Sequence, residues 1–198
     1  MSVTTKGLKY LSLVALLASK TTLAAECFAP SPNLQKEGDD YYELKKTYQW
    51  DSDESKLLED IYRALEGDWT GHVTEFECFG SDKNPRKKLA EASVEARITE
   101  STNLLFRMST EKEYLSSKIV RNEVYHAYNS RILYSGTVKP NYVEGSDRMH
   151  IANARGGARL QEAVQSISLS GEQVSITRLI YINGYLAREE IYELTKDD

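Results

Sequence analysis

Several features that define common protein classes are missing from this sequence. Beyond one segment near the N-terminus, no apolar run approaches the roughly 20 residues that a membrane helix needs. There is no Gly-x-Ser-x-Gly motif, and Gly156-Gly157 lacks the Lys-Ser/Thr that follows the glycines of a phosphate-binding loop. No internal repeat or low-complexity segment is visible. The sequence therefore gives no support to serine hydrolase chemistry or to a P-loop nucleotide site.

Positive charge is also scarce. The chain has 25 basic and 30 acidic residues, a net charge of −5. Loss of the first 25 residues would leave 22 basic and 30 acidic residues, a net charge of −8. Nucleic acids and anionic lipids are bound through basic patches, so this balance argues against both as partners. The basic run Arg86-Lys87-Lys88 is interpreted as a solvated turn.

Residues 1–25 have the three-part pattern of a cleavable secretory signal. Lys6 and Lys9 form a basic region, residues 10–19 are apolar, and residues 22–25 supply small residues for cleavage. The alternative, an amphipathic helix of the folded domain, is disfavoured because the apolar run has no polar face. We therefore expect an exported protein, periplasmic or secreted, whose mature chain of about 173 residues suffices for one domain.

Both cysteines, Cys27 and Cys78, follow this segment. In an oxidising compartment two such cysteines usually pair, which predicts a disulfide that ties the N-terminal arm to the first strand. A lipid-modified Cys27 is the alternative, although Glu26 stands where a lipoprotein signal has a small residue. A reactive thiol is a third interpretation, but neither cysteine has a basic or His neighbour in sequence to lower its pKa.

The mature chain divides into an N-terminal arm, residues 26–50, and a β-barrel domain, residues 51–198. The arm is rich in Pro, Asp, Lys and Tyr and has no regular period. We expect it to run across the surface, with its tyrosines packed against the domain.

An amphipathic helix is predicted over residues 53–66. Ser52 or Asp53 can cap its N-terminus, and Gly67 can end it. Its apolar residues recur at helical spacing: Leu57, Leu58, Ile61 and Leu65.

After Gly67 the apolar period changes to two, the period of a strand. In residues 89–101 small and branched apolar residues alternate with polar ones, as in a half-buried antiparallel strand. Asn183-Gly184, between 174–182 and 185–194, is the strongest short hairpin signal. Further strands are predicted at 69–79, 104–108, 113–121, 124–134, 136–143, 147–154 and 160–170. The fold class is therefore mainly β, an antiparallel up-and-down barrel of 8–10 strands behind one N-terminal amphipathic helix.

Residues 65–71 (Leu-Glu-Gly-Asp-Trp-Thr-Gly) resemble the Gly-x-Trp opening of lipocalin-like (calycin) barrels. Gly67, Trp69 and Gly71 carry the likeness, and Arg188 in the last strand resembles the Arg that stacks on that Trp. The resemblance implies a Trp69–Arg188 stack and a barrel with one open mouth and a ligand cavity. Gly71 makes it similar to haem-binding barrels, but the last two strands hold no His as an axial ligand, so no cofactor is expected.

The last hairpin places charged residues among apolar ones. A two-residue turn at Asn183-Gly184 sets a register in which Arg178 lies opposite Glu189. An inward pair of this kind is either a structural plug or part of a polar site for an anionic ligand group. The other face of the hairpin is not simply polar. If that face is the interior one, Arg188 and Glu190 are the inward charges.

His126 shares a strand face with Tyr128, and continued alternation adds Tyr134. A mixed aromatic face of this kind suits a ligand pocket. Strand alternation puts His72 on the opposite face from both nearby glutamates, so no metal site is predicted.

Three functions remain open. The first is an exported, non-enzymatic protein that holds a small apolar or amphipathic ligand in a barrel cavity. The second is a barrel cyclase, isomerase or lyase that uses inward acid–base groups. The third is an envelope interaction protein without a ligand. No nucleic acid partner and no transmembrane segment in the mature chain are expected. The candidate ligand-binding residues are Arg178, Glu189, His126, Tyr128 and Tyr134.

Overall fold

A computed structural model describes residues 26–43, 48–101, 105–115, 119–127, 133–152 and 157–197. The predicted signal segment lies outside these ranges. The helical elements are α1 (Pro32–Glu37), a 3₁₀ helix (Gly38–Tyr42) and α2 (Ser52–Leu65). The strands are β1 (Gly67–Ser81), β2 (Asn84–Ser101), β3 (Leu105–Tyr114), β4 (Ile119–Ala127), β5 (Leu133–Lys139), β6 (Tyr142–Ala152), β7 (Ala158–Ser170), β8 (Gln173–Ile182) and β9 (Tyr185–Lys196).

The strands form one antiparallel sheet. Its order is β4-β3-β2-β1-β9-β8-β7-β6-β5, so the first strand pairs with the last and β4 and β5 are the two edges. The predicted mainly-β antiparallel fold with an N-terminal amphipathic helix is confirmed. Within the described ranges no pairing joins β4 to β5. Closure into a barrel therefore stays a prediction.

The amphipathic helix α2 begins one residue earlier than predicted, because Asp51 caps it rather than Ser52 or Asp53. The Asp51 carboxylate accepts hydrogen bonds from the backbone N–H groups of Asp53 and Glu54 at 2.9 and 2.8 Å. The Glu54 side chain accepts one from the Asp51 N–H at 3.0 Å, which completes a capping box. The helix buries Leu58, Ile61, Tyr62 and Leu65.

One face of the sheet packs against α2 and is called the helix face. Trp69 is only 1% exposed, and its indole Nε1 donates a hydrogen bond to the Leu65 carbonyl at 2.8 Å. Helix α2 contacts strands on both sides of the central β1–β9 pair, namely β2 and the β5–β6 pair. The strand residues of this core include Val73, Val94, Ile98, Met108, Val143, Ile167, Ile176, Tyr192 and Leu194.

The opposite face, called the arm face, is covered at the β9 hairpin end by residues 26–43. The Phe28 N–H donates to the Leu186 carbonyl at 3.1 Å, and the Leu186 N–H donates to the Ala29 carbonyl at 2.9 Å. The Ser31 N–H donates to the Gly184 carbonyl at 2.8 Å. The arm therefore extends the sheet by a short antiparallel contact before it turns into α1.

The arm tyrosines divide between core and surface. Tyr41 is fully buried and Tyr48 packs against the core, whereas Tyr42 is 46% exposed, so the predicted packing holds for two of the three. Tyr41 and Leu34 lie against Gly184, where φ is +84°. A Cβ at Gly184 would lie 2.6 Å from a Leu34 methyl, so both the turn and the arm require glycine there.

Candidate functional site

A row of polar side chains continues the helix face where the apolar core ends. Along β1 the helix-face positions run through Trp69 and Val73 to Glu75. The pairing register aligns Glu75 with Glu190 on β9, and Glu190 with Arg178 on β8. These three charged residues therefore lie side by side across three strands. Together with four further side chains from β3, β6 and β9 they are called the polar cluster, whose members are Glu75, Lys112, Tyr114, Asp147, Arg178, Arg188 and Glu190.

Glu75 is held by three donors. Its Oε1 accepts hydrogen bonds from Lys112 Nζ at 2.7 Å and Arg188 Nη2 at 3.4 Å, and its Oε2 accepts one from the Tyr114 hydroxyl at 2.7 Å. Burial alone would raise the Glu75 pKa, but the Lys112 and Tyr114 hydrogen bonds and the neighbouring cations lower it below its ordinary value. The Lys112 side chain is fully buried, so this carboxylate is what balances its charge.

Glu190 pairs with two arginines. Its Oε1 lies 2.7 Å from Arg188 Nη2, and its Oε2 lies 3.7 Å from Arg178 Nη1. The Glu190 side chain is 1% exposed, whereas those of Arg188 and Arg178 are 40% and 29% exposed. The Glu190 carboxylate is inside, and the two arginine side chains are part-exposed members of the cluster. A guanidinium is a planar fork of donors that matches a carboxylate or phosphate.

The Asp147 carboxyl differs from that of Glu75 in the direction of its pKa shift. Burial raises its pKa to about 6, while the Arg178 charge and a backbone hydrogen bond from Ala163 act in the opposite direction. A carboxyl with this pKa changes its charge just below neutral pH.

The predicted Arg178–Glu189 pair is wrong. The Asn183-Gly184 turn forms as predicted, but Ala187 is an extra residue in β9 and makes a β-bulge. Beyond the bulge, Arg178 pairs with Glu190, and Glu189 pairs with Leu179. Glu189 therefore lies on the arm face, where it is 8% exposed, and does not share a site with Arg178. The bulge brings together Arg178 from one predicted face and Arg188 from the other.

The predicted Trp69–Arg188 stack is also wrong. In the β1–β9 register Trp69 pairs with Lys196, while Arg188 pairs with Glu77, eight residues further along β1. At about 3.3 Å per residue, Trp69 and Glu77 are about 26 Å apart along β1, so Arg188 lies far from the Trp69 ring. The cation over the Trp69 ring is Lys196, whose Nζ lies 5.5 Å from the ring centroid and donates to the Ala64 carbonyl at 3.0 Å.

The predicted aromatic face around His126 stays a prediction. His126 lies in β4, where its backbone pairs with Arg107 of β3. Tyr134 lies in β5, at the other edge of the sheet. Tyr128 lies outside the described residues. Across the described ranges, no three His, Cys, Asp or Glu side chains are close enough to hold a metal ion.

The predicted disulfide between Cys27 and Cys78 is confirmed, with the two Cα atoms 5.6 Å apart. It joins the start of the arm to the arm face of β1. A lipid-modified or free Cys27 is inconsistent with this bond.

A second charged group lies on the arm face and is called the arm lock. Glu162 is fully buried, and its Oε2 accepts hydrogen bonds from Ser31 Oγ and from the Tyr41 hydroxyl, the latter at 2.9 Å. Its Oε1 accepts from Asn33 Nδ2 at 2.6 Å and from Arg148 Nε at 3.2 Å. The members of the lock are Ser31, Asn33, Glu37, Tyr41, Arg148 and Glu162.

Arg148 joins the two acids of the lock. Its Nη1 donates to Glu37 Oε2 at 2.9 Å and to the Tyr41 carbonyl at 3.1 Å, and its guanidinium carbon lies 4.2 Å from the Tyr41 ring centroid. Arg148 and Glu162 are at most 1% exposed. Paired charges that are wholly removed from solvent hold the arm in place and present nothing to a ligand.

Sequence reasoning missed most of the polar cluster, although a signal for it exists. Glu75 has the same alternation parity as Trp69 and Val73, and Lys112 has the same parity as Met108. A charge that interrupts an apolar face must be paired when it is buried. That rule could have identified each of the two residues as paired, but it could not have shown that they pair with each other.

Comparison with known proteins finds similarity to solved structures alone. No family model matches the sequence, and no curated protein matches it. The chain is similar to a protein of unknown function of the DUF3598 family from Nostoc punctiforme, with 10% sequence identity and a TM-score of 0.35. The match covers 69% of this chain and 49% of that protein, so the chain spans about half the length of the structure it matches.

Proposed function

We propose that the protein is exported and binds a small amphipathic molecule, whose anionic or polar end is held by Arg178 and Arg188. Export is supported by the signal pattern in residues 1–25 and by the Cys27–Cys78 disulfide, because such bonds persist in oxidising compartments. No helix in the described part of the chain is long and apolar enough to cross a membrane.

The observation that carries the ligand proposal is the partial exposure of the two arginine side chains at the margin of a buried cluster. Arg188 and Arg178 are 40% and 29% exposed, while the Glu190 between them is 1% exposed. On the same face of β8, Ile180 lies next to Arg178 and is half-buried, whereas Ile176 on its other side belongs to the buried core. Apolar side chains next to paired cations match a molecule with an apolar body and a charged end.

The test is extraction of the protein's own ligand. The protein is purified without denaturation, extracted with organic solvent, and the extract is analysed by mass spectrometry. The matched variants are Arg178→Gln and Arg97→Gln; Arg97 is an exposed arginine on the arm face of β2. We expect one molecule in wild type and Arg97→Gln, and at least a tenfold loss in Arg178→Gln, because a charge-assisted hydrogen bond contributes about 1.5–3 kcal/mol. An empty wild type, or equal recovery from both variants, would contradict the proposal.

A second candidate function, acid–base catalysis, is favoured by Asp147. A carboxyl whose pKa is raised to about 6 by burial, and whose charge interacts with that of Arg178, can donate or accept a proton near neutral pH. Incubation of the extracted molecule with wild type and with Asp147→Asn separates the two functions. Conversion that needs Asp147 indicates an enzyme, and recovery of the unchanged molecule indicates a binding protein.

A further inference from the structure

The hairpin of β1 and β2 extends beyond the strands on either side of it. Strand β1 pairs with β9 only as far as Glu77, and β2 pairs with β3 only from Ala92 onward. All of residues 79–89, called the hairpin tip, are exposed. At about 3.3 Å per residue, the turn at Asp82-Lys83 lies about 17 Å beyond Glu77.

The hairpin tip concentrates positive charge that the rest of the protein lacks. It holds four basic residues and the single acid Asp82, a net charge of +3, in a chain whose net charge is −5. Within the described residues no carboxylate lies at ion-pair distance from Lys83, Arg86 or Lys88. Lys87 lies over the Phe76 ring, 5.1 Å from its centroid. The overall acidity of the chain therefore conceals a separate basic projection.

Exposed apolar side chains accompany these charges. Phe79 is 42% exposed and Leu89 is 60% exposed. Phe79 pairs with Arg86, whereas Leu89 pairs with Phe76, so the two side chains lie on opposite faces of the hairpin. Exposed apolar residues among cations are typical of a surface that contacts lipid, because headgroup phosphates and the apolar boundary are reached together.

We infer that the hairpin tip docks onto an anionic lipid bilayer, with its cations on the headgroup phosphates and Phe79, which is nearer the turn than Leu89, in the interfacial layer. The protein approaches end-on. At the opposite end of β1–β3 from the hairpin tip, the arm face carries a groove of about 620 Å³ with acidic walls, which an anionic surface would repel. The Cys27–Cys78 disulfide fixes the base of the projection to the arm. This docking is independent of ligand binding at the polar cluster.

The test is co-sedimentation of the exported chain, its N-terminus checked by mass spectrometry, with lipid vesicles. Vesicles of phosphatidylcholine with about 30 mol% phosphatidylglycerol are compared with phosphatidylcholine alone. We expect binding to the anionic vesicles only, weakened by salt. Each cation near such a surface contributes about a fivefold change, so Lys83→Gln, Arg86→Gln and Lys88→Gln together should lower the partition coefficient roughly 100-fold.

The matched control changes three exposed cations elsewhere, Lys56→Gln, Arg107→Gln and Arg159→Gln, and should change binding by less than about threefold. The variant Phe79→Ser should bind about fivefold more weakly at every salt concentration. All the altered residues are exposed, so near-UV circular dichroism should match wild type. Failure of wild type to bind the anionic vesicles, or equal binding by both triple variants, overturns the inference. The inference is also overturned if wild type self-associates without vesicles and the hairpin variant does not. The partner of the hairpin tip would then be a second copy of the chain.

Discussion

The polar cluster and the arm lock lie on opposite faces of one sheet and use the same residue types, but they differ in how their charges meet solvent. In the arm lock, Glu162 and Arg148 are at most 1% exposed and are fully engaged by the arm. In the polar cluster, Glu190 is equally buried, but Arg188 and Arg178 are 40% and 29% exposed. An ion pair whose two partners are both buried stabilises the fold. An ion pair in which only the anion is buried leaves its cations part-exposed at the surface.

This difference separates stability from function. A buried pair is costly to break, because its remaining member is left uncompensated. Removal of the part-exposed Arg178 costs little stability, because Glu190 keeps its 2.7 Å ion pair with Arg188. Variants of the arm lock should therefore unfold the protein more easily, while variants of the accessible arginines should alter binding.

The largest expected effect is that of Glu162→Ala. It leaves four buried or part-buried donors without their acceptor, and Arg148 keeps the ion pair with Glu37 but loses this one, so we expect a loss of about 4 kcal/mol in the free energy of unfolding. Urea unfolding measures it. The control Glu193→Gln alters an exposed carboxylate that accepts one hydrogen bond from Ser175 and should cost less than about 1 kcal/mol. Similar losses in both variants would remove the distinction between the lock and an ordinary surface contact.

The next effect is that of the disulfide, which closes a loop with a sequence separation of 51 residues. Replacement of Cys27 and Cys78 by serine should lower the free energy of unfolding by about 3 kcal/mol, mainly because the unfolded chain gains freedom. Reduction of the wild type should give the same loss. If neither treatment changes the unfolding midpoint, then the hydrogen bonds of the lock hold the arm by themselves.

A smaller effect is expected from Asp147→Asn, and it depends on pH. The folded-state pKa of about 6 is above the ordinary value of 3.8, so the folded state favours the protonated form. The resulting stabilisation is complete below pH 3.8 and is lost as the pH rises through about 6. Asparagine cannot ionise, so the variant should lack this loss, on the order of 2–3 kcal/mol. Parallel stability profiles for wild type and Asp147→Asn would show that the folded state does not shift this pKa.

The smallest effect on stability is expected for Arg178→Gln. Its guanidinium is part-exposed and lies 3.7 Å from the Glu190 carboxylate, so its loss should change the free energy of unfolding by less than about 1 kcal/mol. Thermal unfolding followed by circular dichroism measures the change. A loss as large as that of Glu162→Ala would mean that the polar cluster is a second structural lock.

The local patterns in the sequence predicted most of the fold. Alternation in residues 89–101 found β2, helical spacing found α2, and Asn183-Gly184 found the last turn. These features depend on neighbours in the chain. The helix cap fell on Asp51 rather than Ser52 because three adjacent residues can all accept the same backbone hydrogen bonds.

The site was harder to predict because it depends on register over long distances. The bulge at Ala187 has no apolar or turn signal, yet it moves Glu189 to the arm face and brings Arg188 beside Arg178. Lys112 and Glu75 meet across 37 residues, and neither strand pattern specifies the other. The resemblance at Trp69 likewise could not show that Lys196, and not Arg188, lies over the ring.

The most direct test of the central claim is calorimetric titration of the extracted molecule into wild type, Arg178→Gln and Arg97→Gln. Thermal unfolding of the same samples is measured alongside. If the accessible arginines form the ligand site, Arg178→Gln should bind at least tenfold more weakly with an almost unchanged unfolding midpoint, and Arg97→Gln should bind like wild type. Equal affinity in all three proteins would contradict the assignment of the polar cluster as the ligand site.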